Sequence, residues 1–143
     1  HERAKYAVVV NEFMASNKAT SVDENGFYAD WIEVYNQTTT AISLDGWTIT
    51  DDFADPFKQS LTGLVIEAGG YLVLLADGGN AVGHLSFALA KDGEDIGLYD
   101  PNGVAQTEYT YGAQIDDQST SRVKDGAEIW AITSTPTPGA SNN

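Results

Sequence analysis

The sequence predicts a single all-β domain, a sandwich or barrel of about nine or ten strands, on three observations. No stretch longer than about ten residues repeats its apolar residues at the 3.6 spacing of a helix. Gly and Asx turn signals recur roughly every 8–15 residues, between short segments in which apolar and polar residues alternate. The chain is 143 residues long and 42% hydrophobic, enough to bury on the order of two thirds of its unfolded surface in one core.

Taken in order, the first strand is expected over residues 6–13, around Val8-Val9-Val10. A polar loop follows, with Asp23-Glu24-Asn25-Gly26 as its turn. Residues 30–36 alternate cleanly, so Ile32 and Val34 share one face while Trp31, Glu33 and Tyr35 share the other. Residues 46–50 and 61–66 are the next two strands. Glu67-Ala68-Gly69-Gly70 then turns tightly into residues 71–76, which are apolar throughout and therefore expected to be covered on both faces, centrally in a sheet. Leu85, Phe87 and Leu89 alternate with His84, Ser86 and Ala88, and Ile96 and Leu98 mark another strand. Asp100-Pro101-Asn102-Gly103 is a hairpin turn, with Pro presetting φ and Gly accepting a positive one. Residues 104–111, 120–123 and 128–132 complete the set. The expected core is Val8, Val10, Ile32, Val34, Trp47, Ile49, Val73, Leu75, Phe87, Ile96 and Leu98. One domain spans residues 1–143, with 1–5 as an N-terminal extension and 134–143 as a tail or linker, since Pro136 and Pro138 lack ladder donors.

Composition narrows the function. There are no cysteines, which excludes disulfides and thiolate metal sites. No apolar run approaches the ~20 residues of a membrane span, so no membrane insertion is expected. With 7 basic and 21 acidic residues the net charge is −14, a field that repels nucleic acid and suits divalent cations or basic surfaces. No signal-peptide core stands at the N-terminus; either a leader has been removed or none existed, and a chain opening on His rather than Met is expected to have been cut from something longer.

The ordered set Val10-Asn11-Glu12-Phe13, Asp30-Trp31-Ile32-Glu33-Val34-Tyr35-Asn36, Leu44-Asp45-Gly46-Trp47 and Thr50-Asp51-Asp52 resembles the lamin tail domain of the bacterial kind. The resemblance continues through Ala68-Gly69-Gly70-Tyr71, residues 84–87, Gly93-Glu94-Asp95-Ile96-Gly97-Leu98 and the closing Pro136-Thr137-Pro138-Gly139-Ala140-Ser141-Asn142. It implies an immunoglobulin-like β-sandwich, distantly similar to the globular tail of nuclear lamins. It also implies a non-catalytic module appended to secreted or surface bacterial proteins such as nucleases and other hydrolases. Coiled-coil heptads are missing, so filament assembly does not carry over, and the acidic charge departs from DNA or chromatin binding.

Candidate chemistry is sparse. A nucleophile–base pair needs a positioned His, and His84, beside Ser86 on a polar face, is the candidate inside the domain. Calcium takes six to eight hard oxygen ligands, and Asp51, Asp52 and Asp77 are the residues expected to supply them, at one end of the sandwich with the Asp23 loop. The same carboxylates also serve Asx turns and solubility. Trp31, Trp47 and Trp130 are candidates for a sugar-stacking platform or for core packing, and Trp31, Glu33 and Tyr35 for an exposed interaction stripe. The expected function is a non-catalytic extracellular interaction or adhesion module attached to a larger secreted or surface protein. Its partner is expected to be a protein or a cell-surface polymer, not nucleic acid. The alternatives are a calcium-dependent carbohydrate-binding module and a structural spacer or self-association domain.

Overall fold

The computed structural model describes residues 7–18, 28–79 and 83–142. Among them lie eleven strands: β1 (Val8–Met14), β2 (Asp30–Asn36), β3 (Ile42–Ser43), β4 (Thr48–Thr50), β5 (Gln59–Ser60), β6 (Val65–Ile66), β7 (Tyr71–Ala76), β8 (Glu94–Tyr99), β9 (Ala105–Tyr111), β10 (Ser119–Arg122) and β11 (Trp130–Thr133). A five-stranded sheet runs β11-β10-β1-β2-β7, a four-stranded sheet runs β5-β4-β8-β9, and β3 pairs with β6. Every pairing between these strands is antiparallel. The two larger sheets share one core, with Val8, Val10, Phe13, Ile32, Val34 and Leu74 from one side and Ile49, Ile96, Leu98 and Tyr111 from the other. That is an immunoglobulin-like sandwich, as expected.

β2 has the predicted bounds, with Ile32 and Val34 facing the core, although Trp31 and Glu33 are buried on its other face as well. The 100–103 hairpin also forms: Gly103 N–H donates to Asp100 O at 2.9 Å with Gly103 at φ 78°, and the Asp100 carboxylate accepts from Asn102 and Val104 N–H. β7 is where the structure departs. It is an edge strand rather than a central one. Its register against β2 sets Leu74 opposite Ile32 and Leu72 opposite Val34, so these face the core. The expected core residues Val73 and Leu75 lie on the outer face, half-exposed. A uniformly apolar strand carries no parity of its own, and pairing with β2 supplies it.

Residues 61–66 do not form one strand. Gln59–Ser60 joins the four-stranded sheet, Val65–Ile66 pairs with β3, and Leu61 sits buried between them. Leu85, Phe87 and Leu89 are buried, but their segment makes isolated bridges (Leu75 with His84, Asp77 with Ala88) instead of a strand. Within β1, Asn11 is an extra residue between the Val10–Val34 and Glu12–Glu33 pairs. This bulge switches the phase of the strand, so Val8, Val10 and Phe13 all reach the core while Glu12 turns to the outer face beside Glu33.

Gly97 in β8 lies beneath the Tyr99 ring: a Cβ there would stand 2.6 Å from Tyr99 Oη and 2.8 Å from Cε2. The hydroxyl meanwhile donates to Glu108 Oε2 at 2.8 Å. Gly97→Ala therefore forces the buried ring aside, and a loss of about 1–3 kcal/mol is expected in urea unfolding. A midpoint equal to the parent's counts against this packing.

Candidate binding surfaces

Trp31, Glu33 and Tyr35 share the outer face of β2, but they do not form the expected exposed stripe. Trp31 is 1% exposed and Glu33 0%. Trp31 lies between its cross-strand neighbours Met14 and Leu75, and its Nε1 has no hydrogen-bond partner among the described residues. Tyr35, half-buried, stacks on Tyr71 with centroids 5.1 Å apart.

Glu33 is buried because the C-terminal segment folds back across this face as a strap. Thr137 donates to the Glu12 carboxylate twice, from N–H at 3.0 Å and Oγ1 at 2.8 Å, and Ser119 Oγ adds a third bond at 2.6 Å. Gly139 N–H donates to Glu33 Oε2 at 2.6 Å, and Asn142 N–H to Asp125 Oδ1 at 2.9 Å. Asn142 Nδ2 also bonds Asn11 O and Arg122 O, while Asn11 Nδ2 bonds Asp125. Gly139, at φ 77°, makes the turn that aims these amides inward. The prolines exclude the segment from a ladder, as the sequence implies, yet residues 137–142 are held by the domain.

Two glutamates directly opposite each other and fully buried carry an electrostatic cost. Burial pushes the Glu33 carboxyl up to about 8, helped by the nearby Glu12 and Asp125 charges and resisted by bonds from Gly139 N–H and Asn11. Burial also raises Asp125, but the bonds from Asn142 N–H, the Tyr71 hydroxyl, Asn11 and Ser141 outweigh it and leave that carboxyl below its usual range. The Tyr71 hydroxyl rises to about 12, through burial and its bond to Asp125. At a folded pKa near 8 against an ordinary 4.5, folded Glu33 keeps a proton that the unfolded chain has lost. Its stabilising contribution is whole below about pH 4.5 and disappears as pH rises through 8. Glu33→Gln is thus expected to raise the melting temperature relative to the parent increasingly between pH 5 and pH 9. A difference independent of pH would remove Glu33 as its source.

The proposed calcium ligands are engaged separately. Asp51 Oδ1 pairs with Lys58 Nζ at 2.7 Å, and Asp52 Oδ1 accepts from Ala54 N–H in an Asx turn. Asp77 accepts from Gly79 N–H and stands 2.5 Å from His84 Nδ1. Among the described residues no three His, Asp or Glu gather as metal ligands. The Asp23-Glu24-Asn25 cluster and Asn80 lie outside the described residues. Ser86 N–H donates to Gln59 Oε1.

A surface absent from the sequence reading opens on the flank where β9 ends one sheet and the β10–β11 hairpin ends the other. There a hollow of about 400 Å³ is lined by residues 105–109, Arg122, Glu128 and Trp130. Trp130 stacks on Tyr109 at 4.5 Å and has the Arg122 guanidinium 4.6 Å from its centroid, so its ring is part of a wall, not a vacant sugar platform. Trp47 is in the core. Arg122 ties the two sheets together across this flank. Its Nε donates to Val10 O at 2.7 Å, its Nη2 to Thr107 Oγ1 at 3.3 Å and its Nη1 to Ala127 O. Val10 N–H completes the cluster by donating to Thr107 Oγ1. A guanidinium thus spans the place where β10 diverges from β1, with which its ladder pairs run only over Glu12 and Phe13.

The Lamin Tail Domain family model matches residues 1–113, which carry β1–β9, while β10, β11 and the strap lie beyond the match. No curated protein and no solved structure matches. With its helix-free sandwich and a match over well more than half its length, the chain belongs to the Lamin Tail Domain family, whose domain is immunoglobulin-like and non-enzymatic.

Proposed function

We propose that the domain is a non-catalytic interaction module that acts outside the cell as part of a larger protein, and that it takes its partner, a protein or cell-surface polymer, in the groove between β9 and the β10–β11 hairpin. The observation that carries this is the groove itself: a hollow of about 400 Å³ at which both sheets end in edge strands among the described residues. Its walls combine the Tyr109–Trp130 aromatic stack with the acidic residue Glu128, a mixture suited to recognition.

The test is binding of the whole chain to a panel of surface glycans and surface proteins, compared with a variant in which Ala105→Phe fills the groove. Loss of binding by about tenfold or more in a folded variant is the expected result. Undiminished binding sinks the groove, and turnover of any bound polymer sinks the non-catalytic assignment. Repeating the panel in EDTA and in millimolar calcium separates the calcium-dependent alternative.

A further inference from the structure

We infer that the occupant of this groove is an extended basic peptide that joins β9 as an added strand, an inference that rests on the groove being the binding site. The sheet edges differ in what they offer. β5 has only two residues. β7 is capped along one end by the 83–88 segment, where Leu75 N–H bonds Gly83 O at 2.8 Å and Leu85 N–H bonds Leu75 O at 2.7 Å. β11 has four residues. β9 has seven, no proline and no lysine, and no strand on its second side among the described residues. Those are the guards by which long edges usually avoid pairing. The register shift at Gln106 falls within the groove-lining run 105–109, so the regular edge of β9 runs from Thr107 to Tyr111.

In an antiparallel ladder, alternate residues of β9 turn their N–H and C=O toward β8 and the others turn them away. The outward groups border the groove, whose lining includes the backbone run 105–109. An extended chain lying there meets the main-chain donors and acceptors of a strand that has no ladder partner on this side among the described residues, which is the geometry of strand addition.

Charge selects the chain. The groove-lining acid is Glu128, since the Glu108 carboxylate turns to the Tyr99 hydroxyl on the other face of β9, and the cation Arg122 is already committed to Val10 O, Ala127 O and Thr107. The half-buried Tyr109–Trp130 stack lines the groove with Glu128, and its ring edges offer an apolar border for the stem of a Lys or Arg whose head reaches that carboxylate. The net charge of −14 draws such a peptide in and opposes a second copy of this chain, whose own Glu108 would approach an acidic edge.

The experiment is selection of a random twelve-residue peptide library on the full chain. The enriched peptides are then measured on the parent, on Ala105→Phe, on Glu128→Lys and on Glu108→Gln, which keeps an acceptor for the Tyr99 hydroxyl. Peptides carrying Lys or Arg at alternate positions are expected, losing at least about tenfold in affinity on Ala105→Phe and Glu128→Lys, while Glu108→Gln, whose carboxylate sits against Tyr99, changes it little. Amide exchange at alternate β9 residues is expected to slow in the complex. Enrichment of acidic or uncharged peptides, or of none, overturns the inference and leaves the groove to the panel above. Basic peptides blocked by Ala105→Phe without slowed β9 exchange overturn strand addition alone. Peptides indifferent to Ala105→Phe overturn both the inference and the groove.

Discussion

Phe13→Ala is expected to lower stability by about 3–5 kcal/mol, the range for removing a large aromatic from a core that cannot collapse around the gap. Phe13 is fully buried, and its ring lies 4.8 Å from Tyr111, 6.1 Å from Tyr109 and 6.0 Å from Trp130. It therefore joins β1 to both walls of the flank groove. Urea unfolding measures the loss, and Phe13→Leu, which keeps most of the volume, should recover much of it. The same substitution loosens the Tyr109–Trp130 stack, so the tryptophan emission of the folded variant is expected to shift to the red. A loss below about 1 kcal/mol would mean that the rings do not depend on one another.

Arg122→Leu is expected to cost about 3 kcal/mol or more. Three acceptors lose a charged donor, each left short at about 1–3 kcal/mol where it is shut from water. Leucine replaces part of the apolar contact with Trp130, which keeps the loss from being larger. For a domain of this size the melting temperature should fall by roughly 10 °C. Arg122→Lys should not restore it, since one ammonium lacks the planar fork that reaches Val10 O, Thr107 and Ala127 O together. A lysine variant as stable as the parent would contradict the bridging role.

Legibility in the sequence followed how local each signal was. β2 is readable because Ile32 and Val34 alternate with polar neighbours. β7 is not, because Tyr71 to Ala76 are apolar on both faces, and only the partner strand reveals which three point inward. Strands of two residues, such as Ile42–Ser43 and Gln59–Ser60, are shorter than one period of alternation. Trp31 and Tyr35 were placed on the right face, but the cover over Glu33 comes from residues more than a hundred positions away. The flank groove is equally non-local, since Tyr109, Arg122 and Trp130 belong to three strands whose signals, read singly, say only β. Asp51, Asp52 and Asp77 read as a shared end of the sandwich from loop composition and strand alternation, whereas the bonds that each makes, to Lys58, Ala54 and His84, are to residues nearby in sequence.

The strap also gives the domain a mechanical character. Tension applied at its C-terminal end meets Asn142 first, then Gly139, then Thr137, one attachment after another, before reaching β11. Bonds loaded in succession peel at low force, whereas ladders sheared together resist. A pulled domain thus yields first at its clasp, uncovering the Glu12, Glu33 and Asp125 carboxylates while the sandwich beneath stays closed.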